Sequence, residues 1–137
     1  MSAIVARKSL QSVSGGLRPI LMKERTLFYN AMPKYVFSST LEHAHWNNST
    51  IIRGDVVAEV SRLKQQEGRD LLIYGHGLLG QTLLKHHLLD VLDLSIHPLV
   101  LGQGRLFFRQ GETARLRLVA AKSFSKGIVK LTYEPQP

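Results

Sequence analysis

A glycine-rich turn that directly follows an apolar strand constrains the fold of this chain more than any other feature. Asp70–Tyr74 (DLLIY) is a continuous apolar run of the kind found in buried central strands. Gly75–Gly80 (GHGLLG) follows it without a gap and matches the pattern G-x-G-x-x-G. Leu79 and Leu83 then repeat at helical spacing, which predicts a helix to about His87. A strand, a glycine turn and a helix in this order predict an α/β fold.

The same turn has the residue types that phosphate binding at the start of a helix requires. Glycine lets the backbone approach a pyrophosphate, and the first N–H groups of the helix bind the anion. A plain strand-to-helix turn needs glycine as well, so both interpretations stay open. A Rossmann fold would place an acidic residue at the end of the next strand. Asp90 and Asp93 instead lie at the start and inside that strand, so we predict a different dinucleotide-binding fold.

The other segments alternate between helix and strand. Pro33 ends the first helix, and Asp55 is placed to cap the second. The predicted elements are a helix over Glu24–Met32, strands at Lys34–Ser38 and Ile51-Ile52, a helix over Val56–Gln66, the strand and helix beside the glycine turn, a strand over Val91–Ile96, and a hairpin of Ala114–Phe124 and Ile128–Glu134 around Ser125–Gly127. The fold class is therefore α/β, with a mixed, mostly parallel central sheet flanked by helices and a C-terminal antiparallel hairpin.

Length and composition limit the chain to one ordinary domain. The 137 residues are 44% hydrophobic and 20% charged, which is typical of a globular protein. No apolar run approaches the roughly 18 residues that a spanning helix needs. The absence of cysteine excludes disulfides and thiolate catalysis and fits a reducing compartment. We therefore expect a cytoplasmic protein with no membrane association.

The net charge of +8 is concentrated at the two ends of the chain. Residues 1–35 carry six basic and one acidic side chain, and residues 105–137 carry seven and two. Such a field attracts a polyanion or an anionic cofactor, whereas the alternative is a solvated basic surface. No stripe of basic and aromatic residues accompanies the charge, so we expect no nucleic-acid partner.

Residues 1–24 are predicted to form a divergent basic segment. They include four serines and basic side chains, with Glu24 as their one acidic residue. This composition fits a basic tail, a mitochondrial transit segment or a strand over Leu17–Met22, and these alternatives stay open.

Several segments together resemble one known family. They are KYVFSSTLE, WNNSTIIRGD, DLLIYGHGLLGQTLLKHHLLDVLDLSIHPLVLGQGRLFF and LTYEP. In this order, over about residues 25–137, they resemble the C-terminal reductase domain of bacterial riboflavin-biosynthesis deaminase-reductases and their stand-alone relatives, which have the dihydrofolate reductase-like fold. The resemblance implies an oxidoreductase that uses NADPH to reduce a pyrimidine or pterin-like small molecule. It also implies a homodimer, which the alternating apolar faces of the last two predicted strands favour.

The resemblance also implies which residues bind the cofactor. NADPH would lie at the carboxyl ends of the central strands, with no catalytic acid or base assigned and no metal. Arg53 would pair with the 2′-phosphate, because a guanidinium fork matches phosphate oxygens. The pyrophosphate would contact Gly75, His76, Gly77, Leu78 and Leu79, and the adenosine ribose with its 2′-phosphate would face Ser38, Ser39 and Thr40.

Two departures from the family leave a second function open. His76 stands where members usually have a small residue or serine, and residues 1–24 show no opening strand of the kind that lines the substrate pocket. The chain is therefore either a reductase or a non-catalytic nucleotide-binding or structural remnant. A strand from residues 1–24 beside Lys34–Ser38 or Asp70–Tyr74 would favour the reductase.

His43 and His45 are interpreted as part of a polar loop rather than as metal ligands.

Overall fold

The computed structural model describes residues 3–7, 22–68, 70–104, 106–108, 110–111 and 113–137. The chain forms two compact units, Met1–Gly75 and His76–Pro137, and each contains its own β-sheet. The elements are β1 (Ala3–Arg7), α1 (Met22–Ala31), β2 (Lys34–Phe37), β3 (Ser49–Ile52), α2 (Val56–Gln65), β4 (Leu71–Ile73), α3 (Gly77–Lys85), β5 (Leu92–Ile96), β6 (Arg115–Ser123) and β7 (Val129–Gln136). Both the α/β class and the C-terminal antiparallel hairpin are confirmed.

The first sheet has the strand order β3-β2-β1-β4. β2 and β3 pair in parallel, and β4 runs in the same direction as both. β1 separates β2 from β4 and is antiparallel to each of them. The direction expected for the middle strands is therefore correct, but β1 makes two of the three strand pairs antiparallel.

The opening strand that could not be found in the sequence of residues 1–24 is β1. Val5 of β1 pairs with Tyr35 on one side and with Ile73 on the other. The alternative strand over Leu17–Met22 falls outside the described residues except for its last residue, which begins α1. The division of the chain at residue 24 into a basic segment and a reductase-like domain stays a prediction.

The first unit has a buried apolar core and an exposed charged cap at the start of α2. Val36 and Phe37 of β2 and Val60 and Leu63 of α2 are all buried. Asp55 caps α2 as predicted, because its carboxylate accepts hydrogen bonds from two N–H groups in the first turn, at 2.7 and 3.1 Å.

Lys34 caps the C-terminal end of α1. Its side chain is buried, and Nζ donates to the carbonyl oxygens of Tyr29 at 2.7 Å and Met32 at 2.6 Å. The ammonium also lies 4.9 Å from the ring centroid of Trp46. Burial lowers the pKa of Lys34 below its usual value of 10.5. The lysine thus satisfies carbonyl groups that the end of α1 leaves without helical partners.

The second unit is a three-stranded antiparallel sheet together with α3. Its strand order is β5-β7-β6, and a turn over Ser125–Gly127 joins the last two strands as predicted. Leu79, Leu83 and Leu92 form its buried apolar residues. Almost every residue of β6 is exposed, and a register shift interrupts its pairing with β7 at Val119.

α3 ends in a tight turn that contains a residue with positive φ. The N–H of Leu88 donates to the carbonyl of Leu83 at 2.8 Å, and the N–H of His87 donates to that of Leu84 at 3.2 Å. This is a Schellman motif, whose left-handed position usually holds glycine. Here the position holds His87, at φ 54°. In the part of the chain that is described, no helix is long and apolar enough to cross a membrane.

Candidate functional site

The loops after β2 and β3 meet at one edge of the first sheet. β2 and β3 are parallel, with Phe37 opposite Ile52, so their carboxyl ends lie side by side. Arg53 follows β3 and donates to the carbonyls of Ser39 at 3.0 Å and Leu41 at 2.6 Å. The predicted approach of Arg53 to the segment after β2 is therefore present in the structure.

Arg53 holds the loop after β2 and has further N–H donors. The side chain is exposed, and a guanidinium carries five N–H donors, so two bonds to carbonyl groups do not exhaust it. Ser39 and Thr40 are exposed beside it. Ser38 is buried instead, and its Oγ accepts the N–H of Leu41 at 3.0 Å. Ser38 thus closes the turn that presents the two exposed hydroxyls.

Gly75, the first residue of the glycine turn, lies at the same edge of the first sheet as the ends of β2 and β3. Val5 pairs with both Tyr35 and Ile73, which places these two residues at one level of the sheet. Two residues later along each strand come Phe37 and Gly75. Gly75 has a φ of 82°, and a side chain there would meet no atom within 4 Å. The backbone at this position is therefore open on its Cβ side.

The start of α3 presents backbone N–H groups that the side chain of its own N-cap residue does not cap. Gly77 begins the helix at φ 40°, with no atom within 4 Å of a Cβ built on it. His76 occupies the N-cap position, but its side chain makes no capping hydrogen bond. The positive end of the helix dipole is therefore not covered by its own cap residue, and an anion fits this end of the helix.

The His76 ring lies beside α3. It stacks on Phe107 with centroids 4.5 Å apart and meets the edge of Phe108 at 5.5 Å. A Cβ at Gly80 would lie 2.7 Å from Nδ1 of His76. The imidazole alone therefore already requires glycine at the third glycine position of the motif. Of the two leucines predicted at this turn, Leu79 is buried and Leu78 is exposed.

Two tyrosines that the sequence analysis did not single out meet next to β4. Tyr74 ends the apolar run before Gly75 and is 64% exposed. Its hydroxyl lies 3.3 Å from that of Tyr29 on α1, and the two rings pack edge to face. The position of Tyr74 directly before the glycine turn is the sequence signal that could have identified it.

His43 and His45 lie in an exposed part of the loop between β2 and β3. Among the described residues, no group of three or more His, Cys, Asp or Glu side chains could hold a metal ion.

The match to a family model identifies this chain as a reductase-like α/β domain related to riboflavin biosynthesis. The chain belongs to the RibD C-terminal domain family, which matches residues 8–130. This family is associated with NADPH-dependent reduction. Taken separately, the Arg53 guanidinium and the start of α3 each attract phosphate by their own chemistry.

Two curated relatives come from Bacillus subtilis strain 168. The chain is 35% identical to the uncharacterized protein YyaP over 84% of its own length and 61% of the relative, and 30% identical to the uncharacterized protein YwjB over 69% and 55%. A crystal structure of a Shewanella sp. PV-4 protein, provisionally named for riboflavin biosynthesis, aligns with a TM-score of 0.65 at 20% identity, covering 75% of this chain and 60% of that one. The chain therefore spans less than two thirds of the length of each of these proteins.

Proposed function

We propose that this chain is an NADPH-dependent reductase domain that transfers hydride to a pyrimidine or pterin-like small molecule. The observation that carries the proposal is the start of α3, where two glycines with positive φ precede helix N–H groups that their own N-cap side chain does not cover. When bound, NADPH supplies the hydride. Family membership supports the same class of reaction.

In this proposal the chain's own residues bind and orient the cofactor. The backbone N–H groups after Gly77 hold the pyrophosphate, and Gly75 and Gly77 keep the approach free of side chains. Arg53 binds the 2′-phosphate with the donors that its carbonyl bonds leave over. Ser39 and Thr40 are exposed beside it and donate hydroxyl hydrogens to the same phosphate or to the ribose.

The position of β1 favours the reductase over a non-catalytic remnant. A remnant without an opening strand would have no backbone between β2 and β4, whereas β1 pairs with both strands over residues 3–7. The sheet next to the strand ends thus includes the N-terminal segment. The remnant stays the alternative, and NADPH binding in the experiment below would exclude its purely structural form.

Titration calorimetry with NADPH tests the proposed binding site. We expect a micromolar dissociation constant, which corresponds to about −8 kcal/mol. Gly77→Val should weaken binding at least about tenfold, because a branched side chain blocks the approach to the helix start. Gly102→Val is the matched control, since Gly102 also has positive φ and open space. Equal losses in both variants, or none in either, would contradict the site.

Cofactor preference tests the role of Arg53. We expect NADPH to bind more tightly than NADH, because charge-assisted hydrogen bonds to one phosphate are worth about 1.5–3 kcal/mol each. Arg53→Ala should remove most of this difference, whereas Arg62→Ala, which lies on α2 and pairs with Glu59, should preserve it. Equal affinities of the unmodified chain for the two cofactors would reject the assignment.

We further propose that the chain forms a symmetric homodimer through β6. This strand is the edge of the second sheet, and Leu118 and Val119 are about half exposed on it. Antiparallel pairing of two copies about Val119 places Arg115 opposite Ser123 and Arg117 opposite Ala121. No two like charges then face each other directly.

A further inference from the structure

The loop between β2 and β3 is held at both of its ends. At its start, Arg53 donates to the carbonyls of Ser39 and Leu41. At its far end, the side chain of Trp46 binds the last turn of α1. Only residues 42–45 separate the two attachments along the chain. A change at the far end therefore acts through a very short link on the residues at the start of the loop.

The attachment at the far end consists of three side-chain hydrogen bonds. Trp46 Nε1 donates to Oδ1 of Asn30 at 2.6 Å. Asn48 Nδ2 donates to the carbonyl oxygens of Asn30 at 3.0 Å and Ala31 at 3.3 Å. These carbonyls belong to the C-terminal turn of α1, where helical partners are missing. The two side chains thus serve the end of the helix and fix the loop at the same time.

The backbone of Asn48 ties the same end of the loop to the sheet. Its carbonyl accepts the N–H of Lys34, the first residue of β2, at 2.7 Å. The φ of Asn48 is 55°, in the left-handed region where asparagine is enriched among the non-glycine residues. The buried ammonium of Lys34 also lies over the ring of Trp46. The far end of the loop is therefore joined to both α1 and β2.

We propose that Trp46 and Asn48 are positioning residues for the 2′-phosphate of NADPH. By fixing the far end of the loop, they hold the exposed hydroxyls of Ser39 and Thr40 beside Arg53 before the phosphate binds. Preformed donors bind more tightly, because binding does not have to order the loop. NADH has no 2′-phosphate, so a loosened loop lowers the affinity for NADPH more than that for NADH. The inference deepens the proposed function and rests on it.

Calorimetric titration of Asn48→Gly with NADPH and with NADH tests this positioning role. Glycine adopts the positive φ and removes the side-chain amide. We expect the ratio of NADPH to NADH affinity to fall at least about threefold, because binding of the phosphate then has to order the loop. Asn47→Gly is the matched control, since it removes the same side chain from the neighbouring exposed position and should leave the ratio unchanged.

Trp46→Phe breaks the same attachment in a second way. It removes the Nε1 donor and keeps an aromatic ring, so it also serves where Asn48→Gly does not fold. We expect the ratio of the two affinities to fall in this variant as well. In the double variant the ratio should fall by less than the product of the two single effects, because both changes act on one attachment.

Amide hydrogen exchange measures the loop in the absence of any cofactor. The N–H of Leu41 is bonded to Ser38 Oγ at 3.0 Å and reports on the start of the loop. We expect this amide to exchange several-fold faster in Asn48→Gly than in the unmodified chain or in Asn47→Gly. Thermal melting of each variant checks that the first unit is still folded.

The outcomes separate this inference from the proposed function. No binding of NADPH by the unmodified chain would reject both. An NADPH preference that Arg53→Ala removes, but that Asn48→Gly and Trp46→Phe leave unchanged, would overturn the positioning role alone. Equal losses of NADPH and NADH affinity would assign Trp46 and Asn48 to stability only. Unchanged exchange at Leu41 in Asn48→Gly would show that the far attachment does not hold the start of the loop.

Discussion

The two units of the chain differ in how completely they bury their strands. In the first unit, Val36 and Phe37 of β2 are buried, and even the lysine that begins this strand is 2% exposed. In the second unit, β6 is exposed along nearly its whole length, with Leu118 at 51%. The first unit thus has a closed core, whereas the second leaves an apolar strand for another surface to cover.

The difference shows where single substitutions act on stability and where they act on association. A buried leucine contributes through transfer from water and through packing, so its loss leaves a cavity. A half-exposed leucine contributes little to the unfolding free energy of the isolated chain. The predictions below measure this contrast.

Leu63→Ala should have the largest effect. Leu63 on α2 is fully buried, and truncation of such a side chain costs about 2–5 kcal/mol of unfolding free energy. Leu118→Ala in the second unit is the matched substitution and should cost less than about 0.5 kcal/mol in dilute protein. Urea unfolding measures both. Similar losses in the two variants would remove the contrast between the units.

Lys34→Met should destabilise the first unit by about 2 kcal/mol, because the carbonyls at the end of α1 lose a charged donor. The exposed Lys64→Met is the control.

The pH dependence of stability tests the burial of Lys34. Burial lowers the pKa of Lys34 in the folded chain below 10.5, the value for the unfolded chain. At a pH between the folded pKa and 10.5, the unfolded chain therefore binds more protons than the folded chain. Stability of the unmodified chain relative to Lys34→Met should therefore rise as the pH increases toward 10.5. A difference that stays constant or falls over that window would contradict the lowered pKa.

Val119→Lys tests whether β6 is covered by a second copy. We expect light scattering of the unmodified chain to give twice its mass at high micromolar concentration. The lysine should weaken the dimer at least about tenfold, or about 1.4 kcal/mol, because it places two like charges at the symmetry axis. Val100→Lys, on a valine that is 94% exposed in a loop, should leave the dimer unchanged. A monomer in the unmodified chain would refute the proposed assembly.

His87→Gly should have the smallest effect, and in the opposite direction. A non-glycine residue at φ 54° lowers the free energy of unfolding by about 1–2 kcal/mol, and glycine removes this strain. Glycine also makes the unfolded chain more flexible, which offsets part of the gain. We expect a net gain of about 0.5–1 kcal/mol, measured by thermal melting. His87→Ala keeps the unfavourable φ, so a comparable gain there would show that the backbone is not the cause.

Local signals predicted most of the elements, and long-range pairing explains what they missed. α2 could be predicted because Asp55 caps it and its buried residues repeat at helical spacing. β1 has five residues without flanking turn signals, and its partners lie about 30 and 65 positions further along the chain. Nothing in its own sequence specifies that pairing.

The candidate site also combines a feature that the sequence predicts with one that depends on long-range packing. The approach of Arg53 to the loop after β2 follows from two parallel strands that end at one edge. The position of the His76 ring depends on Phe107, which is 31 residues away. The family resemblance implied that His76 contacts the pyrophosphate, and the structure shows that its ring stacks on Phe107 beside α3.

The contact between His76 and Gly80 constrains the order in which this turn can change during evolution. An alanine at position 80 meets the imidazole at 2.7 Å, so it becomes acceptable only after position 76 has acquired a short side chain. A serine at position 76 is compatible with either glycine or alanine at position 80. Among homologues these two positions should therefore vary together, and the pair histidine and alanine should be absent. In the laboratory, Gly80→Ala should destabilise this chain alone but not in combination with His76→Ser.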